Sequence, residues 1–166
     1  IQRFQEFQEQ LQRNPREPIR LVAAGGRFLT GGIRMAAVIL LTTHLPLPTL
    51  YENPASLSTA MLLLHMYAAP FQVYFFISAY ADFSIALGYL MGFQIPDNFN
   101  YCWISTSIDE FWRRWHITLG SWLRDYLFTP MIRHRYHYFW AFVGTFMFCG
   151  VWHGQYLSYV FWGLSQ

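Results

Sequence analysis

The chain has 166 residues, of which 54% are hydrophobic, 20% are aromatic and only 12% are charged. Because soluble domains carry about 25% charged residues, this composition excludes an ordinary soluble domain and is typical of a membrane protein with interfacial aromatic rings. The net charge of +2 is too small to indicate a nucleic-acid partner, and two cysteines are too few for a disulfide framework. We expect Cys102 and Cys149 to be buried free thiols. The basic residues are all arginines that flank apolar runs, which places those flanks on the cytoplasmic side.

The N-terminal stretch, residues 1–20, is polar and is predicted to form an amphipathic helix at a membrane surface. Its apolar side chains recur at helical spacing, at Phe4, Phe7 and Leu11. The two prolines of the sequence RNPREP are expected to end this helix.

The next segment is less regular. Residues 21–34 contain two Gly-Gly pairs and two arginines, which predicts a poor spanning helix. Met35–Leu45 is apolar but much shorter than the roughly 20 residues that a spanning helix needs. Extending it back to Phe28 makes a span possible but includes Arg34, and Pro46 is expected to end it.

Leu57–Phe93 is a long apolar run that would reach about 55 Å as one helix, against a hydrocarbon core of about 30 Å. Pro70 predicts a break, with one element near 57–69 and a second near 71–93. Asp82 lies deep in the second element, where a carboxylate must pair or become protonated. We expect it to form a structural ion pair with an arginine between residues 113 and 124.

A predicted loop at Gly92–Asn100 leads into a predicted helix at Ser105–Asp125, and Tyr138–Leu164 is long enough to span a membrane with tilt. Within the helix we expect a capping box and two ion pairs at i,i+4 spacing: Ser107 with Glu110, Asp109 with Arg113, and Glu110 with Arg114.

Two Trp-His pairs carry the chemistry that the sequence suggests. His153, next to Trp152, lies in an uncharged apolar run, where an ionisable side chain is a functional hypothesis by default. The alternative is a histidine that bonds across helices, in a segment whose G-x-x-x-G spacing favours close packing. His116, next to Trp115, lies in an arginine-rich segment with Gly120 one turn away, which leaves room for a substrate. The alternative is an interfacial histidine in an aromatic belt.

The sequence contains no G-x-S-x-G, Walker A or G-x-G-x-x-G motif and no H-E-x-x-H spacing, so neither a serine nucleophile, a nucleotide nor a metal is expected. Histidine acid–base chemistry remains, which in a membrane enzyme suggests acyl transfer to an alcohol. Two other classes stay open: a non-catalytic transport or export component with a polar path lined by Asp82 and the histidines, and a haem or metal membrane protein.

Three stretches resemble the membrane-bound O-acyltransferase family, and within it the alginate O-acetyltransferase group: YFFISAYADFSIALGYLMGFQIPDNFN, STSIDEFWRRWHITLGSWLRDYLFTP and GVWHGQYLSYVFWGLSQ. The resemblance implies an all-α polytopic membrane protein with a bundle of helices around a central tunnel. It implies that His153 is the catalytic base and that His116 helps to position or polarise the reactants. Further residues are candidates for positioning the substrates: Trp115, Trp152, Arg113, Arg114 and Asp82.

The same resemblance implies an acyl group, acetyl in the first instance, that moves from a cytoplasmic acyl-CoA or acyl-carrier thioester to a hydroxyl. The acceptor would be an exported polysaccharide or an accessory acyltransferase on the periplasmic or extracellular face, with membrane lipid around the protein and no bound cofactor. We interpret residues 1–166 as an internal fragment of one such domain in a bacterial cytoplasmic membrane, which it crosses several times. Residues 1–34 would form a cytoplasmic or interfacial segment, and residues 35–166 a membrane core with both histidines.

Overall fold

The computed structural model of this chain describes residues 4–12, 20–45, 52 and 54–154. Within these ranges the secondary structure is helical, and the described residues contain no β-strand. The prediction of an all-α protein is therefore confirmed. The chain divides into two compact units, an N-terminal unit at Phe4–Asp97 and a C-terminal unit that begins at Asn98.

The described part of the N-terminal unit contains three long helical segments, with a short 3₁₀ turn before the last: α1 Phe4–Gln12, α2 Leu21–His44 and α3 Thr59–Met91. Helices α2 and α3 pack against each other, and both are long and apolar enough to cross a membrane. The buried positions of α2 recur every seven residues, at Ala24, Gly31 and Val38. Small residues in such a stripe let two helix backbones approach closely.

The predicted N-terminal helix is confirmed over Phe4–Gln12, and the two prolines expected to end it lie outside the described residues. Its apolar face meets the segment after α3, where the rings of Phe7 and Phe93 lie 5.4 Å apart. The side chain of Gln10 both accepts a hydrogen bond from the main-chain N–H of Gln94 and donates one to its carbonyl oxygen. These contacts attach α1 within the N-terminal unit.

Helix α2 differs from the prediction because residues 21–34 and the apolar stretch after them form one continuous helix. The two arginines that argued against a span, Arg27 and Arg34, both bind Asp82 of α3. Pairing offsets the desolvation of the charges, so they do not interrupt the helix. The helix ends at His44, and Leu45 is non-helical, as expected for the residue before Pro46.

Helix α3 is also continuous, so the predicted break at Pro70 is wrong. A proline removes one donor from the helical ladder, but the turns on both sides of it can still be held by packing. Just beyond it, Gln72 is buried and its amide donates to the carbonyl oxygen of Leu45 at the end of α2, 2.7 Å away. The helix ends at Gly92, whose left-handed conformation at φ 76° begins the predicted loop.

Gly31 packs tightly against α3, and its replacement by alanine is expected to destabilise the full-length protein by about 1–3 kcal/mol. A Cβ built at this position lies 2.7 Å from the ring of Phe83 and 3.3 Å from the carbonyl oxygen of Ala79, so the Phe83 ring would have to move and the α3 backbone to yield slightly. The midpoint temperature of thermal unfolding measures the effect.

Gly32 supplies a matched control, because a Cβ at that position meets nothing within 4 Å. Both substitutions gain the same intrinsic helix propensity of alanine over glycine, so the difference between them isolates the contact with α3. Equal unfolding temperatures for Gly31→Ala and Gly32→Ala would contradict the close packing.

Up to residue 154, the C-terminal unit contains four helices and two short turns: a 3₁₀ turn Cys102–Ile104, α4 Ile108–Arg114, α5 Ile117–Leu123, a π-helical turn Arg124–Phe128, α6 Thr129–Arg133 and α7 Tyr138–His153. The single helix predicted at Ser105–Asp125 is wrong, because the chain breaks at Trp115–His116 and again becomes irregular at Arg124. Helix α7 ends at His153 with Gly154 as its C-cap; the rest of the predicted span at Tyr138–Leu164 lies outside the described residues.

The local contacts predicted at the start of this unit are largely present. Ser107 is the N-cap of α4 and accepts a hydrogen bond from the Glu110 N–H. In the predicted capping box the Glu110 carboxylate would bind the main-chain N–H of Ser107. It instead accepts hydrogen bonds from the N–H and the hydroxyl of Thr106. The predicted ion pairs Asp109–Arg113 and Glu110–Arg114 form at 2.8 and 2.7 Å. Cys102 and Cys149 are both buried free thiols, as predicted.

Candidate active site

The chain turns sharply at His116, which lies between α4 and α5. Trp115 ends α4 in an extended conformation, and His116 adopts a left-handed conformation at φ 43° and ψ 52° as the N-cap of α5. A left-handed backbone costs a residue with a Cβ about 1–2 kcal/mol. Such strain persists only where surrounding contacts impose it, and it is concentrated at functional sites.

The loop before α4 supplies the contacts that impose this turn. The carbonyl oxygen of Asn98 accepts from the Ile117 N–H at 2.9 Å, and its side-chain oxygen accepts from Thr118. On the other side of the break, the Asn100 N–H donates to the carbonyl oxygen of Arg114 at 3.0 Å. The loop therefore binds the chain both before and after His116.

Aromatic rings enclose this turn. The ring centroid of Phe99 lies 5.2 Å from that of Trp115 and 6.1 Å from that of His116. Trp115 also stacks on Phe111 at 5.5 Å and meets Trp103 edge to face at 6.2 Å. Aromatic packing of this kind restricts the rotamers of the rings.

The imidazole of His116 is electrostatically unusual. Its Nδ1 atom is buried and has no hydrogen-bond partner among the described residues. Burial is the largest cause that lowers the pKa of His116 from its ordinary 6.5 to about 4. His116 is therefore a neutral imidazole near pH 7, with one nitrogen able to donate and the other able to accept.

His153 is the last residue of α7, further along the chain than His116. Its side chain is exposed within the described residues. Its ring packs against that of Trp152, with centroids 5.1 Å apart. His153 and His116 both belong to the C-terminal unit, which begins at Asn98. The structure thus brings both predicted histidines into one unit.

The two candidate arginines are already paired. Arg113 is largely exposed and binds Asp109, while Arg114 binds Glu110 and also donates to the carbonyl oxygen of Asn100 at 3.4 Å. Arg114 therefore contributes to the contacts that stabilise the turn at His116. Arg113 instead forms an exposed ion pair with Asp109.

Asp82 does not pair with the arginines between residues 113 and 124, so that prediction is wrong. Its carboxylate is 1% exposed and binds Arg27 at 2.8 Å and Arg34 at 2.5 Å, both from α2. Arg27 makes a second ion pair with Asp97 at 2.5 Å. Periodicity within one segment could not reveal these partners, because 48 to 55 positions separate them from Asp82. The ion pair itself was predicted, and it is confirmed.

These charges border a cavity of about 380 Å³ within the N-terminal unit. Its lining comes from α2 and α3: Ala23, Gly26, Arg27, Thr30, Arg34, Asp82 and Tyr89. Both of its arginines are bound to carboxylates, so the cavity offers no unpaired cation to a ligand. Asp82 is the one carboxylate among these lining residues, and the described parts of the chain contain no group of three potential metal-ligating side chains.

Sequence reasoning missed Asn98 and Phe99, because it assigned Gly92–Asn100 to a loop without a role. The available signal was weak. Asn is a common capping residue, but it normally caps the helix that follows it directly. Asn98 instead caps a helix 20 positions further along the chain, which only the tertiary structure shows.

Comparison with characterised proteins gives relatives with three different named substrates. The chain is 46% identical to the probable alginate O-acetylase AlgI of Pseudomonas aeruginosa over 95 residues, which cover 55% of this chain and 18% of the relative. It is 33% identical to the peptidoglycan O-acetyltransferase of Helicobacter pylori over 117 residues, 69% of this chain and 22% of the relative. It is 35% identical to the teichoic acid D-alanyltransferase of Bacillus subtilis over 112 residues, 61% of this chain and 28% of the relative.

The chain thus matches about a fifth to a little over a quarter of the length of these relatives. The model of the family called MBOAT matches all of residues 1–166. The membrane character predicted from the composition agrees with this match and with the two helices that are able to span a membrane. The chain belongs to the membrane-bound O-acyltransferase family.

Proposed function

We propose that this chain carries the histidine centre of an O-acyltransferase that crosses a bacterial cytoplasmic membrane several times. The observation that carries the proposal is the strained, neutral imidazole of His116, whose buried Nδ1 lacks a partner among the described residues. A polar atom left unpaired at a strained position is typical of a site that binds a reactant. Membership of an O-acyltransferase family supplies the reaction class.

The acyl group is inferred to be acetyl and the acceptor a hydroxyl-bearing polymer outside the cytoplasm. Two of the relatives are named for O-acetylation, of alginate and of peptidoglycan, and the third for D-alanyl transfer to teichoic acid. The higher identity to the alginate relative favours a polysaccharide acceptor, reached directly or through an accessory acyltransferase. The donor would be a cytoplasmic thioester, on coenzyme A or on a carrier protein.

Two neutral imidazoles can perform such a transfer without a covalent enzyme intermediate. His153 would accept the proton of the acceptor hydroxyl as its oxygen attacks the thioester carbonyl carbon. The C–O bond forms, the C–S bond breaks, and the proton passes from His153 to the departing thiolate. His116 would donate a hydrogen bond to the carbonyl oxygen while that oxygen carries negative charge. A neutral imidazole suits this role, because it needs no change of protonation state.

Deletion of the gene for the full-length protein in its own host tests the reaction class with every partner present. We expect base-labile O-acyl esters to disappear from the extracellular polysaccharides while the yield of exported polymer persists, and complementation to restore the esters. Ester content is measured by ¹H NMR before and after mild alkali. Loss of exported polymer with an unchanged number of esters per sugar would instead identify a transport component and would overturn the proposal.

A further inference from the structure

Asn98 makes three hydrogen bonds to the beginning of α5. Its carbonyl oxygen accepts from the Ile117 N–H at 2.9 Å. Its Oδ1 atom accepts from the Thr118 N–H at 3.2 Å and from the Thr118 hydroxyl at 2.6 Å. Thr118 is buried, so the second pair of bonds is shielded from water. One residue thus binds both of the first two main-chain N–H groups of the helix.

These bonds replace the ordinary N-cap. The first four N–H groups of a helix have no partner within it, and the side chain of the N-cap residue usually binds one of them. At α5 the N-cap is His116, and its side chain makes no capping hydrogen bond. Because Asn98 caps the helix, the imidazole of His116 does not have to bind the N–H groups of α5 and can bind a reactant instead.

The neighbouring residues of the loop complete the contact. Phe99 packs against the rings of both Trp115 and His116, and the main chain of Asn100 binds the carbonyl oxygen of Arg114. The chain is therefore held on each side of the left-handed residue. Of these contacts, only the Oδ1 bonds to Thr118 depend on a polar side chain of the loop, so they can be removed by substitution.

We propose that Asn98 is a positioning residue whose Oδ1 atom, by capping α5, fixes the direction in which His116 presents its imidazole to the reactants. The role of the imidazole in acyl transfer rests on the proposed function; the capping geometry does not. Loss of the cap would let the turn relax towards an ordinary conformation and move the imidazole, and a displacement of about 1 Å can lower a rate by about 100-fold.

Three variants of the full-length protein in native membranes separate positioning from general packing. Asn98→Leu keeps the approximate shape but removes Oδ1, and it is expected to lower kcat by about 10- to 100-fold with KM for the thioester changed less than about 3-fold. Asn98→Asp keeps the acceptor and adds charge that suits a helix N-terminus, so kcat should stay within about 3-fold of wild type. Asn100→Ala is the matched control, because its described hydrogen bonds come from the main chain and survive the substitution.

A second readout does not depend on activity. Diethyl pyrocarbonate modifies exposed neutral imidazoles, and the rate at His116 can be followed by mass spectrometry of the resulting peptides. We expect Asn98→Leu to change the rate at His116 severalfold and leave that at His153 unaltered, with Asn98→Asp and Asn100→Ala like wild type. Full activity of His116→Ala would defeat the proposed function while this readout still tests the cap. Equal His116 reactivity in Asn98→Leu and wild type would overturn the proposal.

Discussion

Alanine at position 153 of the full-length protein is expected to lower the rate of acyl transfer by about 100- to 10,000-fold, the range that one general base contributes. Without the imidazole, the acceptor hydroxyl must attack with its proton in place or lose it to water, which is scarce in a membrane site. The effect should appear in kcat rather than in KM for the thioester, because the base acts after the donor is bound. Release of the thiol from the donor, followed with a disulfide reagent, measures both constants.

His134→Ala supplies the control for this variant. His134 lies in the exposed turn between α6 and α7, in the same unit as His153, and its described contact is a main-chain hydrogen bond to Pro130. Its replacement should leave kcat unchanged. Activity of His153→Ala within about 3-fold of wild type would remove His153 as general base and leave His116 as the remaining candidate.

The site was predictable where the signal was local. His116 and His153 were selected because each is an ionisable side chain in an unusual setting, and the ion pair of Glu110 with Arg114 follows from i,i+4 spacing alone. The break at His116 was not predictable, because the hydrogen bonds that stabilise it come from Asn98, outside any window in which helical periodicity is assessed. A continuous helix satisfied every local rule in that stretch.

The fold shows the same division. The apolar composition predicted helices, and glycine or proline marked the ends of α2 and α3, at Leu45 and Gly92. Continuity within these helices could not be predicted, because it depends on tertiary partners. In the sequence, Arg34 marks the boundary of the apolar segment that begins at Met35. In the structure it binds Asp82 of α3 and lies within the continuous helix α2. A charge inside an apolar run need not end a membrane-spanning helix when a partner of opposite charge faces it.

Replacement of Asp82 by leucine is expected to destabilise the full-length protein by about 3–5 kcal/mol, the usual cost of removing one partner from a buried ion pair. The carboxylate is 1% exposed and holds two guanidinium groups, so its loss leaves Arg34 without its carboxylate partner and Arg27 with only the exposed Asp97, next to each other between packed helices. Thermal or denaturant unfolding in detergent micelles measures the change. Activity is expected to be lost as the folded fraction falls, and not because Asp82 touches a reactant.

Two further variants separate burial from charge as the cause. Asp97→Leu also removes a partner of Arg27, but the Asp97 side chain is 57% exposed, and exposed pairs contribute about 0–1 kcal/mol, so little change is expected. The triple variant Asp82→Leu, Arg27→Met, Arg34→Met removes all three charges together. It should recover most of the lost stability, since apolar residues can replace a buried ionic cluster. If this triple variant stayed as unstable as Asp82→Leu, the shape of the side chains, and not their charge, would join α2 to α3. If Asp82→Leu itself unfolded like wild type, the two arginines would need another source of compensation, and the continuity of α2 would have to be explained without Asp82.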